Sequence, residues 1–188
     1  MKRSLAILAA AAAFVLSAAE PANLFNNVWK DGIVWVHTSD PAARPIRSKV
    51  LPLVKFEQKD IDGKKALQTV IPSEIIPLSG KFAQSISASF IQNVKLPDTK
   101  GGKYKLTFRY KGSVPANCKS QGLILVFPKT GNKTGKLYAR SWNADSANWK
   151  DMKYEFTVPS GADTIEFYFR LNGPGNISFA DYFLTSVK

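Results

Sequence analysis

The chain has 188 residues, 45% of them hydrophobic, including 12 phenylalanines, six tyrosines and four tryptophans. That is length for one domain with a substantial core. Its one cysteine, Cys118, excludes an internal disulfide, and with one histidine, His37, it has no His/Cys cluster of zinc spacing. The net charge is +12 and favours polyanions such as acidic polysaccharide or an anionic envelope surface. The lysines are scattered singly, however, as on a solvated face, and no block of like charge points to nucleic acid.

In chain order, the first element is an export signal. Lys2 and Arg3 form a basic start, residues 5–16 an Ala-rich apolar run, and Ser17-Ala18-Ala19 a cleavage site. Residues 1–19 are read as signal peptide and 20–188 as a single domain that is secreted, periplasmic or extracellular. The apolar run is too short to span a bilayer, so no membrane span is expected in the mature chain. Short strand candidates then follow one another. They cover residues 33–37, 54–58, 66–71, 81–96, 103–111, 122–127, 136–142, 152–158, 164–171 and 176–187, separated by Pro, Gly, Asn and Asp signals. No helical-period segment of useful length is visible after the signal. Residues 103–111 alternate most clearly. Tyr104, Leu106, Phe108 and Tyr110 point one way, and Lys103, Lys105, Thr107, Arg109 and Lys111 the other. The continuous apolar run 122–127 suits a strand buried on both faces. Regular spacing of short strands predicts an all-β sandwich or barrel.

Several stretches carry a resemblance. They are Asp62-Gly63-Lys64-Lys65-Ala66-Leu67; Ile91-Gln92-Asn93-Val94-Lys95-Leu96-Pro97 with Gly102-Lys103-Tyr104-Lys105-Leu106-Thr107-Phe108; Trp149 with Phe156-Thr157-Val158-Pro159 and Gly161-Ala162; and Gly175-Asn176-Ile177-Ser178-Phe179-Ala180-Asp181-Tyr182-Phe183-Leu184. In order and spacing the chain resembles the galactose-binding-like jelly roll, and within it the carbohydrate-binding modules appended to xylanases and glucanases. The resemblance implies a jelly-roll β-sandwich and a sugar site on one sheet or at a loop end, where Trp29 and Trp35 are candidates. It also implies a structural calcium held by an opening carboxylate and an Asp of the last strand. Here the opening is Asn23-Leu24-Phe25-Asn26-Asn27, Ala180 replaces one acid, and Asp181 alone remains as a weak metal ligand.

Catalytic readings find no motif. His37 sits in a strand-like setting, and Asp145, Asp151, Glu155 and Glu166 are not singled out as an acid pair. A sugar site instead combines a rigid aromatic ring with planar polar groups. Tyr138, Arg140 and Trp142 share one strand face; Glu166, Tyr168 and Arg170 share another, opposite Ile165, Phe167, Phe169 and Leu171. If both sets lie on one face of a sheet, Trp142, Tyr138 and Tyr168 stack on a glycan while Arg140, Arg170 and Gln92 hydrogen-bond it, with Arg109 as an extension. Tyr138 and Trp142 serve equally well as an inward set, because Leu137 and Ala139 do not settle the direction. Trp149 is read as core packing. The expected function is a non-catalytic carbohydrate-binding module for a polysaccharide, leaning to an acidic one. The alternative is a structural or adhesive surface protein without a sugar site.

Overall fold

A computed structural model describes residues 22–25, 29–36 and 44–187; residues 1–19, read above as an export signal, and His37 and the side chain of Trp35 lie outside the described residues. Among the described residues eleven strands form two antiparallel sheets. They are β1 Lys30–Val36, β2 Lys55–Ile61, β3 Lys64–Ile71, β4 Ile86–Lys95, β5 Gly102–Ser113, β6 Gln121–Thr130, β7 Lys133–Thr134, β8 Tyr138–Asn143, β9 Ser146–Val158, β10 Thr164–Asn172 and β11 Gly175–Val187. The first sheet runs β1-β4-β10-β6, with β7 and β8 sharing the far edge of β6; the second runs β2-β3-β11-β5-β9. This is the expected all-β sandwich.

The alternation places the core between the sheets. In β5, Tyr104, Leu106, Phe108 and Tyr110 are buried; in β10, Ile165, Phe167, Phe169 and Leu171 are fully buried. Edge-to-face and tilted rings fill the space. Phe169 lies 5.1 Å from Phe179, 5.2 Å from Trp29 and 5.3 Å from Phe108 between ring centroids. Trp29 is therefore core, and its indole N–H donates to the Tyr182 hydroxyl at 3.0 Å.

Tight turns follow the residues that permit them. Asp62 and Gly63, between β2 and β3, both take positive φ (52° and 74°), as a two-residue hairpin loop of matching twist requires. The sequence reading missed two short helices, α1 Arg44–Val50 and α2 Ile75–Ser79, and 3-10 turns at Leu51–Leu53 and Gly80–Ser85. Elements of five and seven residues hold too few turns to show a helical period. Residues 81–85 are accordingly not strand, and β9 begins at Ser146 rather than at 152, which puts Trp149 inside it.

The face of β8 next to β9 closes one flank. Trp142 packs on Phe108 and Tyr110, with centroids 5.5 and 5.4 Å away. Its indole covers Gly122, where an added Cβ would stand 2.5 Å from the ring and 2.7 Å from Ile177 Cδ1. Gly122→Ala is therefore expected to destabilise the fold by about 1–3 kcal/mol through overpacking. Urea unfolding followed by tryptophan fluorescence measures this as a lowered midpoint at unchanged slope.

Candidate functional site

Cross-strand register decides which expected residues can meet. Arg140 pairs with Ile124, and Ile124 with Phe169, so the Tyr138-Arg140-Trp142 set shares the core-facing side of the sheet. Tyr138 packs against Phe156 at 6.1 Å, and Arg140 donates to the Lys153 carbonyl of β9 at 2.9 Å, bridging the two sheets at their flank. Gln92 pairs with Phe167 and is 1% exposed, in phase with Ala88, Phe90 and Val94. The expected groove thus splits: Trp142, Tyr138, Arg140 and Gln92 face inward, whereas Tyr168 and Arg170 face outward. Arg109 lies on the other sheet altogether.

The outward face of the first sheet is built around Tyr168. Its neighbours in register are Ile91 on β4 and Leu125 on β6; those of Arg170 are Ser89 and Leu123, and those of Glu166 are Asn93 and Phe127. The Phe127 ring stands edge-on to Tyr168, 5.4 Å between centroids. The Tyr168 hydroxyl donates to Glu166 Oε1 at 2.8 Å, and Lys129 Nζ donates to Glu166 Oε2 at 2.7 Å. Beneath, Arg170 is 7% exposed; its Nε donates to Ser89 Oγ at 3.0 Å, and its guanidinium lies 5.8 Å from the Tyr168 ring centre. Around this buried floor, Phe127 and Tyr168 are half-buried, while Asn93, Lys95, Ala139 and Ser141 are exposed. The arrangement presents two aromatic rings flanked by a carboxylate, a primary amine and an amide.

Sequence reasoning did not single out Phe127, Lys129 or Asn93. The apolar run 122–127 was read as buried on both faces. In fact Leu123 and Phe127 are only half-covered on the outward side. The visible signal was that Phe127 falls in phase with Lys129.

The outward face of the second sheet is charged and cross-linked. Arg109 bonds Asp151 and also reaches Asp181, Lys64 bonds Asp181, and Lys111 donates to Asp62 at 2.8 Å. The hydrogen bond and charge of Lys111 hold the Asp62 carboxyl below its ordinary range. Trp149, expected in the core, is half-buried and two residues from Asp151 on β9, which sets it in phase with this outer face. Asp181 sits at φ 51° in a bulge of β11, exposed, with its carboxylate taken by Lys64 and Arg109. Two cations beside one carboxylate do not fit a calcium ion, which needs several oxygen ligands. Among the described residues no three His, Cys, Asp or Glu side chains gather as a metal site. The opening residue Asn23 instead bonds the bulge directly: its Oδ1 accepts from the Leu184 and Phe25 amides at 3.0 and 3.1 Å, and its Nδ2 donates to the Tyr182 carbonyl at 3.1 Å.

The fold is that of the β-sandwich carbohydrate-binding modules. The chain is similar to a CBM4 structure (16% identity, TM-score 0.50, covering 83% of this chain and 86% of that one). It is similar also to TmCBM61, solved in complex with β-1,4-galactotriose (15% identity, TM-score 0.50, covering 88% and 99%). A third likeness is to the enzymatically active domain of tailspike protein 4 of bacteriophage CBA120 (14% identity, TM-score 0.51), where 71% of this chain spans only 18% of that one. At these identities the likeness is one of fold. No protein-family model and no curated protein matches the chain.

Burial, reinforced by the hydrogen bond to Glu166 and the Glu166 charge, pushes the Tyr168 hydroxyl up to about 12. Burial pulls Arg170 down to about 10. The tyrosine's folded pKa lies above its unfolded value near 10, so its contribution to stability is complete below pH 10 and is lost as pH rises through 12. Arg170 works in the opposite sense: its buried charge opposes folding below about pH 10, and that cost is relieved above it. Absorbance titration isolates the tyrosine. The difference between wild type and Tyr168→Phe is expected to show a phenolate appearing near pH 12; ionisation near 10 contradicts the buried, carboxylate-bonded setting.

Proposed function

We propose that this chain is an exported, non-catalytic carbohydrate-binding module that takes a polysaccharide across the outward face of its first sheet. Tyr168 and Phe127 supply the apolar surface for the C–H faces of sugar rings. Glu166, Lys129 and Asn93 supply hydrogen bonds to hydroxyl edges. Arg170 is a support in this reading: buried on Ser89 and stacked at Tyr168, it fixes the ring's position. Gln92 is buried, Trp142 and Tyr138 pack partly buried on the core side, and Arg140, exposed at the flank, is held by the Lys153 carbonyl, so none has a direct part in this reading.

The observation that carries the proposal is the pair of half-buried aromatic rings, Tyr168 and Phe127, held outward beside a bonded Glu166–Lys129 pair on a fold of the carbohydrate-binding-module type. Both Glu166 oxygens already accept hydrogen bonds, which suits a fixed acceptor better than a proton donor in catalysis. Lys95 and Lys129 on the same face, with the overall basic charge, lean the ligand toward an acidic glycan.

The second reading, a structural or adhesive surface protein, is favoured by the inward turn of Trp142 and Tyr138 and by the cross-linked charges of the second sheet. A glycan array with neutral and acidic polysaccharides at low and high salt separates the two. Salt-resistant binding, weakened about tenfold or more by Tyr168→Ala or Phe127→Ala in a variant whose circular dichroism is unchanged, is the expected result. Binding to polyanions at low salt only, indifferent to both variants, supports the surface-structural reading.

A further inference from the structure

The outward face of the first sheet continues beyond Arg170. Its next row in register is Ser87 on β4, Asn172 on β10, Gln121 on β6 and Asn143 on β8. Asn172 lies about 14 Å along β10 from Tyr168, a distance that one oligosaccharide spans. The character of the face changes over its length. At the far end stand Lys95 and Lys129, on either side of Thr164. At this end stand three carboxamides and a hydroxyl, and no charge. Ser87 is buried and Asn172 half-buried, while Gln121 and Asn143 are exposed and paired directly with each other.

Gln121 and Asn143 also line a cavity of about 340 Å³, between the β5–β6 loop and the β8–β9 turn. That is the small end of the range for small-molecule clefts. Its walls are tied to one another. The Ala144 amide donates to the Ser120 carbonyl at 3.2 Å, and the Val114 amide to Asp145 Oδ1 at 3.3 Å. The Ser120 side chain is buried and its hydroxyl donates to the Pro174 carbonyl. Asn143 Oδ1 accepts from the Asp145 amide at 3.0 Å, which fixes the carboxamide and leaves its NH2 group to donate. Lys119 and Asp145 bring one charge of each sign, so the lining has no net charge, and Val114 and Pro115 form an apolar wall. Carboxamides both donate and accept, as sugar hydroxyls do. An anion would call for an excess of cations here, and a wholly apolar ligand would strip water from the carboxamides without replacing its hydrogen bonds.

We propose that this corner is a second subsite, which takes an uncharged glycosyl unit of the polysaccharide, its hydroxyls hydrogen-bonded by Gln121 and Asn143. The proposal rests on the reading of the first sheet's outward face as a glycan surface. It makes the ligand a mixed chain, with acidic units toward Lys95 and Lys129 and a neutral unit at the corner.

Cys118 is the chain's only thiol and lines the same cavity, half-exposed, so its rate of reaction with an aromatic disulfide reports occupancy. The rate is measured with glucose, galactose, xylose and mannose, and with glucuronate and galacturonate as charged counterparts. The expected result is saturable slowing by at least one neutral sugar and by neither uronate, with matching NMR shifts of the Gln121 and Asn143 side-chain amides. Gln121→Ala, at an exposed position, is expected to keep the wild-type unfolding midpoint and to raise the half-protecting concentration about tenfold. Tyr168→Ala is expected to leave the protection unchanged, because a free monosaccharide occupies the corner by itself. No protection and no amide shift with any neutral sugar overturns the inference. So does equal protection by the uronates, or protection indifferent to Gln121→Ala. Array binding that is lost in Tyr168→Ala while Cys118 stays unprotected overturns the second subsite and leaves the glycan face standing.

Discussion

Everything in this molecule hangs on aromatic packing between two sheets that no disulfide joins. Phe169 is the hub. It projects from the centre of β10 and meets Phe108 of β5, Phe179 and Tyr182 of β11, and Phe25 and Trp29 of the opening segment. Strands from both sheets and the start of the described chain converge on one ring. With its single cysteine free, the chain relies on these contacts for the spacing of its sheets. That spacing in turn fixes how far each outward side chain is raised above its own sheet.

The second constraint is parity. A strand has two faces, and every residue of β10 is assigned to core or surface once Phe169 is placed. Tyr168 and Glu166 are outward for that reason. The same rule carries across the ladder through Leu125 and Phe127 to the neighbouring strand. β8 is tied into the sheet by the same register, and it is the register that turns Trp142 inward over Gly122. The candidate face is therefore a property of the whole sheet, and Arg170 under Tyr168 shows how closely it is built. A buried guanidinium is tolerated because Ser89 and the ring above it supply partners that water would otherwise provide.

The architecture was legible because strands such as β5 and β10 write their alternation in strong letters, lysine and arginine against phenylalanine and tyrosine. The inward position of Gln92 was also legible, since it lies in phase with Phe90 and Val94; its polarity drew attention away from its period. β8 could not be oriented from sequence, because Leu137, Ala139 and Ser141 are compatible with either side. Only the pairing of Arg140 with Ile124 decides it. Phe127 was hidden for a related reason: an unbroken apolar run carries no period to read. The burial of Arg170 depends on Ser89, far away in sequence, and so belongs to tertiary structure alone. Trp149 was misplaced because its strand begins earlier than its flanking residues suggest, and the short helices were missed because they are too brief to repeat.

The place of β11 has a consequence for how the chain is made. It lies in the middle of the second sheet, between β3 and β5, and Asn23 bonds the opening segment to it beside the bulge at Asp181. During synthesis, β3 and β5 emerge long before the strand that joins them. Until Gly175–Val187 is available the second sheet is two separate strand pairs, the hairpin β2-β3 and the long-range pair β5-β9, each with an unsatisfied edge, and Phe179 is missing from between the layers. The domain is thus closed by β11, so the second sheet stays open until that strand has been made.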